Sequence, residues 1–89
     1  MGLWKVDRVG NGDFIHFKVT GLGINRHSIV LASICEIGAA PGQPPDFPFV
    51  GAATLEVHNI APQDDGSADF VVAVRWGSPI NYRLNIATY

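Results

Sequence analysis

The amino-acid sequence predicts an all-β chain, a small antiparallel β-sandwich of jelly-roll or immunoglobulin-like type with six or seven strands and negligible helix. Three observations carry that expectation. Apolar residues recur with period two along nearly the whole chain, clusters of turn residues separate the strand-like runs, and no long stretch shows the apolar stripe of an amphipathic helix.

Leu3 to Val9 reads as the first strand, and Asn11-Gly12-Asp13 as a hairpin turn after it, because Asn-Gly readily supplies the positive φ angles of a tight turn. Phe14 to Thr20 alternates cleanly, with Ile15, Phe17 and Val19 on one face and His16, Lys18 and Thr20 on the other. Gly21-Leu22-Gly23-Ile24-Asn25 reads as a connection. Ser28 to Ile37 is rich in β-branched residues and apolar on both faces, as expected of a strand in mid-sheet or covered on both sides. It is expected to be the most buried element.

The segment from Gly38 to Pro48 holds Pro41, Pro44, Pro45 and Pro48, which cannot donate to a ladder, so it is expected to be a loop over one edge or end. Its length makes it a functional candidate. Ala53 to Ile60 alternates again, with Ala53, Leu55 and Val57 inward, and Pro62 ends it. Asp64-Asp65-Gly66-Ser67 is a turn. Ala68 to Trp76 then sets Phe70, Val72, Val74 and Trp76 on one face, and after the Gly77-Ser78-Pro79 turn Ile80, Tyr82, Leu84 and Ile86 line the inward face of the last strand. These three strands read as an antiparallel meander. The two-sided apolar run from Ser28 to Ile37 favours two packed layers, and a sandwich is expected over a small barrel by analogy with common small folds.

The chain has 89 residues, which fits one domain spanning 1–89. Size scaling gives a folded surface of roughly 5,000 Å². Only 16% of residues are charged, below the ~25% of ordinary soluble domains. Polar cover is thin, and some surface is expected to be covered by something other than water.

Lys5, Arg8, Lys18, Arg26, Arg75 and Arg83 are scattered singly in a chain of formal charge −2, which disfavours a nucleic-acid partner. No apolar run is long enough for a transmembrane helix and no secretory leader is legible, so no membrane partner is expected. The cytoplasm is the default compartment, with leaderless export left open.

His16, His27 and His58 raise a metal reading, but no ligand spacing such as His-x-His is present, and solvated surface histidines are expected. Cys35 reads as a small buried hydrophobe. Asp64, Asp65 and Asp69 offer carboxylates suited to calcium, against which stands ordinary turn chemistry at Asp-Gly. No nucleophile elbow or dinucleotide fingerprint is present, so neither catalysis nor a cofactor is expected.

Trp4, Trp76 and Tyr82 are assigned to the core by alternation. Phe47 and Phe49 either fold back over an open end or dock on a partner.

The first functional reading is a non-catalytic, self-associating module for assembly or protein binding, a dimer or trimer. The alternative is a lectin-like carbohydrate binder using loop aromatics and the alternating polar row of the last strand. Interface or ligand residues are expected among Phe47, Phe49, Asn81, Arg83, Asn85 and Tyr89.

Overall fold

A computed structural model of the chain describes residues 1–38 and 41–89. Seven strands form two antiparallel sheets, and no helix occurs among the described residues: β1 (Gly2–Gly10), β2 (Gly12–Val19), β3 (Val30–Gly38), β4 (Phe47–Phe49), β5 (Thr54–Pro62), β6 (Ala68–Arg75) and β7 (Ile80–Thr88). The first sheet has the order β1-β7-β3-β4 and curls into a half-barrel. The second has the order β2-β6-β5.

Two expected connections are corrected. The Asn11-Gly12 segment does not close a hairpin, because β1 pairs with β7 in the first sheet and β2 with β6 in the second. The chain instead turns a corner between layers at Gly12, whose φ of 148° favours glycine, and the Asn11 side-chain amide donates to the Trp76 carbonyl at 3.1 Å. Nor do β5, β6 and β7 form a meander. β5 and β6 are a true hairpin, but β7 crosses to the other layer and lies between β1 and β3. The physical reason is burial: β6 and β7 are each central in their sheets, so each can turn one apolar face to the other layer.

Alternation supplies those faces. Phe70, Val72 and Val74 of β6 and Leu84 of β7 are fully buried, and Tyr82 and Ile86 nearly so. Each fully buried Val, Leu or Phe contributes about 1.5–3 kcal/mol relative to exposure. Val19, Leu22 and Ile24 complete the buried cluster, with Trp4, Val6, Phe17 and Ile34 among those packed against it. The core therefore includes Leu22 and Ile24 from the segment read as a connection, with a short strand or bulge as the alternative. Phe17 stacks on Phe70 at 5.8 Å between centroids, and the Arg8 guanidinium lies 5.2 Å over the Phe17 ring on the side where β1 faces β2.

Four further expectations change. The most buried strands are β6 and β7 rather than Ser28 to Ile37: β3 is central in its sheet, but Ile29 and Leu31 are exposed, because at that end of its outer face none of the described residues packs over them. Trp76 lies outside the core, 47% exposed, since the ladder ends at Arg75 and Trp76 stands beyond it. Cys35 is half-buried, in register with Arg83 on the uncovered face. The proline-rich segment is not wholly loop, because Phe47–Phe49 pairs with Glu36–Gly38 as an edge strand, where Pro48 is tolerated. Ala39 and Ala40, in that predicted loop, lie outside the described residues.

The remaining turns behave as their side chains dictate. Asp65 accepts hydrogen bonds from the Ser67 backbone N–H and hydroxyl, and Gly66 takes a φ of 85°. A register shift between Val57 and Asn59 in β5 restores the inward position of Ile60, a bulge that simple alternation did not predict.

Candidate functional site: the outer face of the four-stranded sheet

Strand parity sorts the first sheet into two faces. Even-numbered residues of β7 point to the core, so Asn81, Arg83, Asn85 and Ala87 point away from it. Register then places side chains of β1 and β3 on either side of this row. Leu3 and Leu31 both pair with Ala87, Lys5 and Ser33 both pair with Asn85, and Asp7 and Cys35 both pair with Arg83. Beyond the last ladder pair, Ile29 and Tyr89 exchange backbone hydrogen bonds of 3.1 and 2.8 Å.

The face is thus divided along its length. One end is apolar, made of Leu3, Ile29, Leu31, Ala87 and Tyr89, with Met1 beside them. Leu3 is 73% exposed, Ile29 60%, Leu31 57% and Tyr89 61%. A groove of about 570 Å³ runs over β7, with Leu3 and Lys5 on one side and Leu31 and Ser33 on the other. Ala87 makes the groove, since its methyl group leaves the space that a longer side chain would fill. Towards the middle the lining turns polar at Asn85, whose amide donates to the Ser33 hydroxyl at 3.4 Å.

Further along, Arg83 forms the fixed point of the face. Its side chain is only 11% exposed and donates to both carboxylate oxygens of Asp7, at 2.7 and 3.1 Å, and to Asp46 at 3.1 Å. The Arg83 guanidinium holds the Asp7 carboxyl below its ordinary value, and the two carboxylates in turn raise the arginine. This clamp ties β1, β7 and the segment before β4 together. Tyr82, on the opposite face of the same strand, has its phenol pushed up by burial.

The expected site residues therefore separate. Asn81, Arg83 and Asn85 share one row and Tyr89 continues it, but Arg83 Nε and Nη2 already donate to Asp7 and Asp46. Phe47 and Phe49 lie on β4, at the far edge of the sheet, each 44% exposed. The Phe49 ring lies against Gly38, where a Cβ would sit 3.1 Å from it.

Sequence reasoning did not single out Leu3, Ile29, Leu31 or Ala87. The signal is present in the two-sided apolar character of Ser28 to Ile37, which fits a strand in mid-sheet or covered on both sides and does not by itself mark one face as open.

The other candidates are dispersed. His16 lies 3.5 Å from Asp69 and His58 lies 3.4 Å from Glu56, on strands that flank β6 from opposite sides, while His27 is in the loop before β3. No group of three or more metal-ligating side chains gathers among the described residues. Asp64 receives the Arg26 backbone N–H at 3.0 Å, so with Asp65 bonded to Ser67 both turn carboxylates have partners within the protein. Arg75 pairs with Glu56 and, at 3.2 Å, with Asp13 on the outer face of the second sheet. No helix is long and apolar enough to cross a membrane among the described residues.

Comparison with known proteins adds no analogy: no family model, no characterised protein and no solved structure matches the chain significantly.

Proposed function

We propose that this chain is a non-catalytic, self-associating β-sandwich module that serves assembly or protein binding, and that it associates through the apolar end of its four-stranded sheet. The observation that carries this reading is the cluster of Leu3, Ile29, Leu31 and Tyr89, each more than half exposed and all directed to one side. With Met1 they present roughly 600 Å², approaching the ~800 Å² that each partner buries in a standard interface. A patch of that size is at the upper end of what monomers expose. Exposed single leucines are ordinary, whereas a contiguous group of this kind calls for a covering surface.

The sheet edges support a face rather than an edge as the contact. β1 carries Lys5, Asp7 and Arg8, β2 carries His16 and Lys18 with a register shift after Gly12, β4 is three residues long with Pro48 in it, and β5 has a bulge and ends on Pro62. Charges, prolines and bulges of this kind hinder strand addition. The apolar end of the outer face has no such obstacle.

The carbohydrate reading draws less support. The stacking candidates Phe47 and Phe49 lie on the β4 edge, apart from Tyr89, and of the polar row Arg83 and Asn85 already bond to side chains of this chain. Sedimentation equilibrium of the intact protein at micromolar concentration tests the principal reading. A mass that is a multiple of 9.6 kDa is expected, and a monomer throughout the micromolar range would remove the reading.

A further inference from the structure

Resting on the self-association just proposed, we infer that the occupant of the Ala87 groove is the Leu31 side chain of a second copy, and that the contact is reciprocal. Leu31 of each copy seats over Ala87 of the other.

The first argument is shape. Ala87 and Leu31 are register partners on adjacent strands, so a hollow and a projection lie side by side on one face. Adjacent strands are ~4.8 Å apart. A two-fold axis lying between β7 and β3 therefore brings each projection onto the other copy's hollow in a single operation. Such an isologous contact is the commonest way in which identical chains close.

The second argument is chemical matching along the strands. The same operation sets Ile29 against Tyr89 of the other copy, apolar on apolar. It also sets Ser33 against Asn85, a hydroxyl opposite a side-chain amide that has a second N–H and an oxygen still to satisfy. The Asp7–Arg83–Asp46 clamp, two carboxylates on one guanidinium, keeps one net negative charge and lies further along the face, outside the apolar end on which the contact is centred. Area sets the scale: two such patches, if wholly covered, would bury on the order of 1,200 Å² in total, the lower limit of a standard interface.

The test exchanges projection and hollow. Leu31→Ala removes the projection, and Ala87→Leu fills the hollow. Each single variant is expected to weaken the dimer by about tenfold or more, measured by sedimentation equilibrium. The double variant Leu31→Ala with Ala87→Leu moves the projection to position 87 and the hollow to position 31, and is expected to recover most of the wild-type affinity. Both positions point away from the core, and a thermal melt of each variant checks that the fold is kept. Singles that weaken association without recovery in the double variant, or singles that leave it unchanged, overturn the reciprocal contact while self-association stands. A monomeric wild type overturns the underlying reading as well.

Discussion

Leu3 and Leu31 come from strands that never touch one another, yet both are register partners of Ala87, one from each side of β7. A small residue on the central strand between two large ones on its neighbours is a local departure from close packing. On an inner face it would leave a void among buried side chains, and each methyl-sized void costs about 1 kcal/mol. On the outer face it produces a groove open to a partner.

Leucines on the two faces of this sheet should respond differently to the same truncation. Leu84→Ala removes a fully buried side chain beneath the sheet and is expected to lower unfolding free energy by about 2–5 kcal/mol. Leu31→Ala, more than half exposed, should change the stability of the monomer by less than about 0.5 kcal/mol. Urea denaturation at a concentration low enough to keep the protein monomeric checks both. Equal losses would contradict the assignment of faces.

The clamp on Arg83 predicts the acid limb of stability. Asp7 has a folded-state pKa below its ordinary 3.8, because it accepts two hydrogen bonds from the Arg83 guanidinium. Its contribution is therefore present in full above pH ~4 and is lost as pH falls through the depressed value. Asp7 is nearly half exposed, so solvent screening holds the contribution to under about 1 kcal/mol. Asp7→Asn is expected to lower stability at pH 7 and to shrink the gap from wild type as pH drops towards 2. A gap that stays constant with pH would show that the ion pair is not the source.

The strands themselves were legible because period two is a local property. Ile15, Phe17 and Val19, or Tyr82, Leu84 and Ile86, declare their inward face with no knowledge of partners. Strand order was not legible. Asn11-Gly12 has the same local chemistry in a hairpin as at a corner, and only the pairing of β1 with β7 and of β2 with β6 decides between them. The site failed for a related reason. Ile29 and Leu31 look alike whether a second layer or solvent lies over them, so a two-sided apolar strand does not tell which of its faces is open. The polar row from Asn81 to Asn85 was visible as alternation, but the engagement of Arg83 depends on Asp7, 76 positions away, and on Asp46.

Gly2 makes room for the Trp4 indole on the inner face of β1. A Cβ at this position would overlap the six-membered ring of the Trp4 indole and stand 2.8 Å from Thr88 Oγ1, so the ring occupies the space that a side chain at this position would fill. Gly2→Val should push the ring out of its packed position against the core, lower stability by about 1–3 kcal/mol and red-shift the tryptophan emission. Trp76, already half exposed, contributes a background that Trp76→Phe removes. Unchanged emission in the Gly2→Val, Trp76→Phe protein would mean that the ring does not rest there.

The response of association to salt separates the two ends of the face. If the apolar end carries the contact, sodium chloride between 0.05 and 0.5 M should change the dissociation constant by less than about threefold, because screening acts on exposed charges and few of these are at the contact. Sodium sulfate at equal ionic strength should tighten it, since sulfate is excluded from protein surface and favours burial of apolar area. Calorimetric dilution should then give a heat capacity of association that is clearly negative. If instead Lys5, Asp7 and Arg83 bridged the copies, chloride would loosen the assembly steeply and the heat capacity change would be small. The two outcomes differ in sign for sulfate against chloride, so a single dilution series in each salt decides which half of the sheet meets its neighbour.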